Sequence, residues 1–130
     1  MTNYNLINRY EYLSSTPLQS YQLLVDKFKF KQMDSVNLFE AGVTKEGYNI
    51  LFIDQQQTDM DVEISPTRDQ IIIKQKNIHI PQNIKPTILL IKYKMEKRYK
   101  FYGLYTQQTY STNKIKYIDY NPTYYLNQKN

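Results

Sequence analysis

The apolar residues of this chain change their spacing once, near Tyr48, and that change dictates the class of fold. Before it, Leu18, Tyr21, Leu24, Val25 and Phe28 recur at helical intervals along one face. After it, apolar residues come in short unbroken runs or in strict alternation. Ile50, Leu51, Phe52 and Ile53 form a continuous run, the mark of a buried strand. Met60, Val62 and Ile64 alternate with Asp59, Asp61 and Glu63, the mark of a strand with one wet face. Helix first and strands afterwards predicts an α+β fold: one or two N-terminal helices packed on a mostly antiparallel sheet of five to six strands, ending in a β-meander.

Local signals set the expected boundaries. Thr16 offers a hydroxyl at an N-cap, and Pro17 suits the first helical position, where its missing N–H costs nothing. A helix over 17–29 follows. Ser35 caps a short second helix through Val36, Leu38 and Phe39, ended by Gly42, with an irregular loop as the alternative. A polar turn occupies 55–58, and Ser65 with Pro66 stops the alternating strand. Ile71, Ile72 and Ile73 begin another, and Pro81 and Pro86 bracket a connector that cannot be a central strand.

The last hairpin carries a register argument. Leu89, Ile91, Tyr93 and Met95 point one way, with Lys92 and Lys94 opposite; Tyr99, Phe101, Gly103 and Tyr105 share a face, with Lys100 opposite. If both apolar sets face one core, paired positions sum to an even number. That favours a three-residue loop, 96–98, with Met95 opposite Tyr99. After a polar loop over 106–114, Ile115 and Tyr117 join as a third strand with Lys114 and Lys116 outward.

Charge is divided along the chain. Residues 1–65 hold five basic and nine acidic side chains, and residues 66–130 hold twelve and three, for a net charge of +5. Halves of opposite sign can neutralise each other internally, pair between subunits, or present a basic face to nucleic acid. Nine of the fourteen tyrosines lie between Tyr93 and Tyr125, in the basic half. Tyrosine serves equally as core, interface anchor or stacking platform. The register places Lys92, Lys94, Lys100, Lys114 and Lys116 on one face, joined by Tyr102 and Tyr120, with Tyr110 in its loop and Tyr124 and Tyr125 in the tail. Those ten residues are the candidate partner- or nucleic-acid-binding set. A solvated lysine surface is the plain alternative.

Catalytic chemistry finds little footing. The chain has no cysteine, so disulfides, thiolate metal sites and thiol catalysis are excluded. Gly42, Gly47 and Gly103 match no phosphate-binding loop, and no Gly-x-Ser-x-Gly elbow accompanies the single histidine, His79. Asp59, Asp61 and Glu63, with Asp54 nearby, project in parallel from one strand rather than converging on a cation; cross-strand or inter-subunit pairing with the lysine face is the expected role. No catalytic residue, cofactor or metal is expected.

At 130 residues one domain is expected over 1–130, with an N-terminal arm at 1–15 and a C-terminal tail at 121–130. No apolar run approaches the roughly 20 residues that span a bilayer, so no membrane insertion is expected. The N-terminus carries no secretory or transit pattern. An intracellular, organellar or virion setting follows. One alanine, three glycines and fourteen lysines against three arginines point to an AT-rich genome, that of a low-GC bacterium or its phage, a protist or an organelle.

The expected function is that of a non-catalytic structural or accessory subunit of a larger assembly, such as a phage particle or an organellar or ribonucleoprotein complex. It would dock on protein partners through the Tyr/Lys-rich C-terminal region. The alternatives are a single-stranded nucleic-acid-binding module and a small inhibitor of a host or defence protein.

Overall fold

The computed structural model describes residues 9–32, 42–44, 47–56, 60–76 and 80–120. One helix, α1 (Pro17–Phe28), precedes seven strands: β1 (Gly42–Val43), β2 (Asn49–Asp54), β3 (Asp61–Ile64), β4 (Gln70–Lys74), β5 (Thr87–Lys92), β6 (Lys100–Tyr110) and β7 (Lys114–Asp119). They form one sheet in the order β1-β2-β5-β6-β7-β4-β3. Every pairing is antiparallel except β2 with β5. The α+β class, the mostly antiparallel sheet and the β5–β6–β7 meander are as expected; the two-residue β1 takes the strand count to seven. The second helix expected from Ser35 onwards lies outside the described residues, apart from Gly42 in β1, as does the tail 121–130.

The start of α1 follows its sequence signals. The Thr16 hydroxyl accepts a hydrogen bond from the Gln19 N–H at 3.3 Å, with Pro17 as the first helical residue. Lys29 ends the helix in the left-handed conformation, φ 57°, its N–H bonded to the Val25 carbonyl. The chain then turns back so that Phe30 stacks on Tyr21 and Phe28 at 5.7 and 5.5 Å, while Phe28 stacks on Phe101 at 5.4 Å. This row of rings fastens the helix to β6.

The sheet curls and so encloses two cores. Tyr21, Leu24 and Phe28 of α1 meet Ile50, Phe52, Ile88, Leu90, Phe101 and Leu104 on one face. The concave interior holds Leu51, Ile53, Val62, Ile71, Ile73, Leu89, Ile91, Tyr102, Tyr105, Ile115 and Tyr117. Successive residues of β2 and β5 therefore point into different cores, and both faces of these strands are dry. That is the physical reason for the unbroken runs at 50–53 and 88–91. In β3, β4 and β7 only the concave face is buried, so burial alternates along them, although Ile72 and Ile118 place apolar side chains on the other face.

Two irregularities in β6 give the curl. Leu89 pairs with Gly103 but Leu90 with Phe101, which leaves Tyr102 as an inserted residue; a second shift between Gln107 and Thr109 leaves Gln108 unpaired. Bulges of this kind sharpen the local twist. Gly103 has φ 114°, a conformation open to glycine and costly for any other residue.

The first bulge corrects the register argument. Paired positions sum to an even number on the Tyr105 side of the bulge and to an odd number on the Lys100 side. Tyr99 and Phe101 accordingly face the helix, while Leu89, Ile91, Tyr102 and Tyr105 face the concave interior. The expected loop 96–98 is instead a seven-residue connection, 93–99, and Met95 is 85% exposed rather than opposite Tyr99. The expected loop 106–114 is mostly strand as well: β6 runs on to Tyr110 and turns within 111–113. Its residues Thr106, Gln107, Gln108 and Thr109 are polar because they lie half in water, yet they suit an extended backbone.

Residues 10–14 lie beside the start of β6, beyond the reach of β7. Tyr10 and Leu13 donate backbone N–H groups to the Phe101 and Tyr99 carbonyls at 2.5 and 2.7 Å, and Tyr99 and Phe101 donate back to Ser14 and Glu11 at 2.9 Å each. The described part of the N-terminal arm is thus docked on the sheet. Arg9 anchors it. Its Nε donates to the Tyr102 carbonyl at 2.7 Å, and an Nη donates to the Tyr105 hydroxyl at 3.1 Å and pairs with Asp119 at 3.1 Å.

Candidate functional site

The candidate residues do not form one face. Lys92 and Lys100 lie on opposite sides of the sheet, because the bulge separates their registers. The Lys92 ammonium sits 3.6 Å from Asp54 and donates to the Ser15 carbonyl at 2.7 Å, with both side chains of the ion pair largely buried. Its role is structural: it neutralises a carboxylate enclosed beneath the helix start. Lys100 pairs with Glu96 at 3.3 Å and lies over the Tyr12 ring at 4.5 Å. Lys94 is exposed in the 93–99 connection, over the ring of Tyr93 at 4.9 Å.

The tyrosines are mostly core. Tyr102 was expected among the lysines but is only 3% exposed, inside the curl and edge-on to Tyr10 at 5.9 Å. Tyr110 ends β6 instead of lying in a loop, and its hydroxyl donates to the Ile80 carbonyl at 2.6 Å. Tyr120 is half-buried against the helix-side core, 6.1 Å from the ring of Tyr48. Tyr124 and Tyr125 lie outside the described residues, as does His79. Burial raises the ionisation of Tyr21, Tyr99, Tyr102 and Tyr105 above the ordinary phenol range, and pushes Tyr117 up to about 12.

Lys114 and Lys116 remain as a genuine surface pair. They project from the convex face of β7, where Lys114 lies directly opposite Lys74 of β4 and Lys116 opposite Ile72. Beyond β4, Asp61 faces Lys74 and Glu63 faces Ile72. The Glu63 carboxylate reaches the Lys74 ammonium at 3.5 Å, a cross-strand pair with a lysine outside the expected lysine face. Ile72 and Ile118 share this face, half-buried and in neither core. The result is a mixed surface: two isoleucines amid Lys74, Lys116 and Glu63.

At one end of the curl this surface meets a cleft of about 800 Å³. Gln55 and Gln56 after β2, Met60 and Asp61 at the entry to β3, Lys74, Gln75 and Lys76 at the exit of β4, and Ser111, Asn113 and Lys114 at the β6–β7 turn line it. Gln75 is buried and ties two of these segments together. Its Oε1 accepts from the Ile80 N–H at 2.8 Å, and its own N–H donates to the Asn113 carbonyl at 2.8 Å.

Of the eight candidates among the described residues only Lys114 lines the cleft. Lys74, Gln75 and Lys76 escaped the sequence reading, although two lysines placed directly after the Ile71 strand were a usable signal. Among the described residues no three His, Cys, Asp or Glu side chains come together as metal ligands, and no helix is long and apolar enough to cross a membrane. No family model matches the chain, and neither a curated protein nor a solved structure matches it.

Proposed function

We propose that the protein is a non-catalytic accessory subunit that docks on a protein partner through the convex face of β4 and β7. One observation carries the reading: Ile72 and Ile118 stand together on that face, outside both cores, ringed by Lys74, Lys116 and Glu63. Apolar anchors inside a charged rim are the usual composition of a specific protein interface. The C-terminal region thus supplies the docking face through β7, while most of its tyrosines build the scaffold. A nucleic-acid role draws less support, because stacking needs exposed rings and Tyr102 lies in the core.

The test is affinity capture with the tagged protein, comparing the wild type with Ile118→Asp and Lys116→Glu. Both substitutions should abolish recovery of a stoichiometric protein partner while leaving the melting temperature close to that of the wild type. Lys94→Glu, on the 93–99 connection, should leave recovery intact. A wild-type protein that runs as a monomer and recovers no partner, or variants that recover it undiminished, would remove the reading.

A further inference from the structure

The cleft beside this face shares Lys74 with its rim but has further donors, Lys76 and Lys114, that the docking role does not use. Among the described residues three ammonium groups line it, Lys74, Lys76 and Lys114, against one carboxylate, Asp61. Lys74 is paired with Glu63, whereas neither Lys76 nor Lys114 makes an ion pair among the described residues. Lys74 and Lys114 are direct cross-strand partners, and like charges placed opposite each other are destabilising. An anion at this rim would reverse the sign of that interaction.

Two of the neutral side chains, Gln55 and Asn113, suit the same ligand charge. The Gln55 carbonyl already accepts from the Lys94 N–H at 3.1 Å, the Asn113 side-chain carbonyl from the Thr112 hydroxyl at 3.0 Å, and the Gln75 carbonyl from Ile80. The acceptors of these three amides are engaged within the protein, which leaves the amino groups of Gln55 and Asn113 as available donors; Gln56 is the reverse, its amino group donating to the Lys94 carbonyl and its own carbonyl left as an acceptor. Ammonium groups and amide donors together suit a multiply charged oxyanion.

Size and the one carboxylate narrow the class. A volume of about 800 Å³ is within the range of small-molecule sites, and among the described residues no aromatic ring lines the cleft for a base to stack on. Asp61, exposed at its edge, can accept from hydroxyl groups but repels a second phosphate.

We propose that this cleft binds a small phosphorylated sugar, with the phosphate at Lys76 and Lys114 and the sugar hydroxyls toward Asp61. The site is separate from the docking face in its ligand, so either can fail alone. The probes are ribose 5-phosphate, ribose, inorganic phosphate and a short single-stranded oligonucleotide, titrated by calorimetry against the full chain. Ribose 5-phosphate should bind, ribose should not, and Lys76→Gln with Lys114→Gln should weaken binding at least about tenfold. Asp61→Asn should erase the preference for ribose 5-phosphate over inorganic phosphate. Lys97→Gln, with Lys97 exposed in the 93–99 connection, should change nothing. Melting temperatures of all variants control for folding. No binding of ribose 5-phosphate at about 1 mM, or binding indifferent to both lysines, overturns the proposal. So does an oligonucleotide that binds more tightly with a steep salt dependence, which would assign the lysines to a polymer backbone.

Discussion

The two halves of the sheet are built on different terms. Strands β2 and β5 and the start of β6 are buried on both faces, between α1 and the concave interior. Strands β3, β4 and β7 are buried on the concave face alone, and their convex face carries lysines, carboxylates and two isoleucines. Both faces of the first half are covered. The second half leaves its convex face uncovered among the described residues and also borders the cleft. That contrast within one sheet is why the proposed docking face lies on β4 and β7.

The largest expected effect comes from alkali. Five buried tyrosines, Tyr21, Tyr99, Tyr102, Tyr105 and Tyr117, are raised above their ordinary ionisation mainly by burial. The unfolded chain therefore loses phenolic protons at lower pH than the folded one. The stability this confers is complete below about pH 10, the unfolded value, and is lost as pH rises through the folded values. From neutral pH melting temperature should be level up to that point and fall steeply above it, with the last five phenols ionising together with unfolding. Complete tyrosine ionisation in a still-folded protein would show these five rings to be accessible.

Truncation should separate the halves next. Phe101→Ala removes a fully buried ring stacked on Phe28 and should cost about 3–5 kcal/mol. Ile118→Ala on the convex face should cost less than about 1 kcal/mol. Similar losses in denaturant titrations would erase the distinction between two-sided and one-sided burial.

The lysines sharpen the same contrast. Lys92→Met removes the ammonium paired with Asp54, a carboxylate only 3% exposed, and should cost about 3 kcal/mol; adding Asp54→Asn should recover most of it. Lys116→Met should stay within about 0.5 kcal/mol. A smaller effect is expected at the end of α1. Lys29→Gly relieves a left-handed lysine and should stabilise the protein by about 0.5–1 kcal/mol.

How far the sequence speaks depends on which half is read. Thr16 and Pro17 fix the helix start through local chemistry, and the alternation in 60–64 survives because one wet face leaves its print on every second residue. The continuous runs at 50–53 and 88–91 announce burial without saying that two cores share them. The bulge is where inference from pattern stops. One inserted residue, Tyr102, reverses parity, and its only local mark is Gly103, a single glycine among many possible reasons for one. Everything read from the even register followed that error: Tyr102 placed in solvent, Met95 placed in the core, and Lys92 and Lys100 placed on one face. The cleft was illegible for another reason. Its lining comes from three separate connections that meet only when the sheet has curled.

The central claim is that the convex face of β4 and β7 is the working surface. Quantitative lysine acetylation, compared between the native assembly isolated from its source and the purified chain, tests it directly. Lys74 and Lys116 should be protected in the assembly, while Lys94 and Lys97 react equally in both. Equal reactivity at Lys116 in both samples, or protection centred on Lys94 and Lys97, would contradict the account.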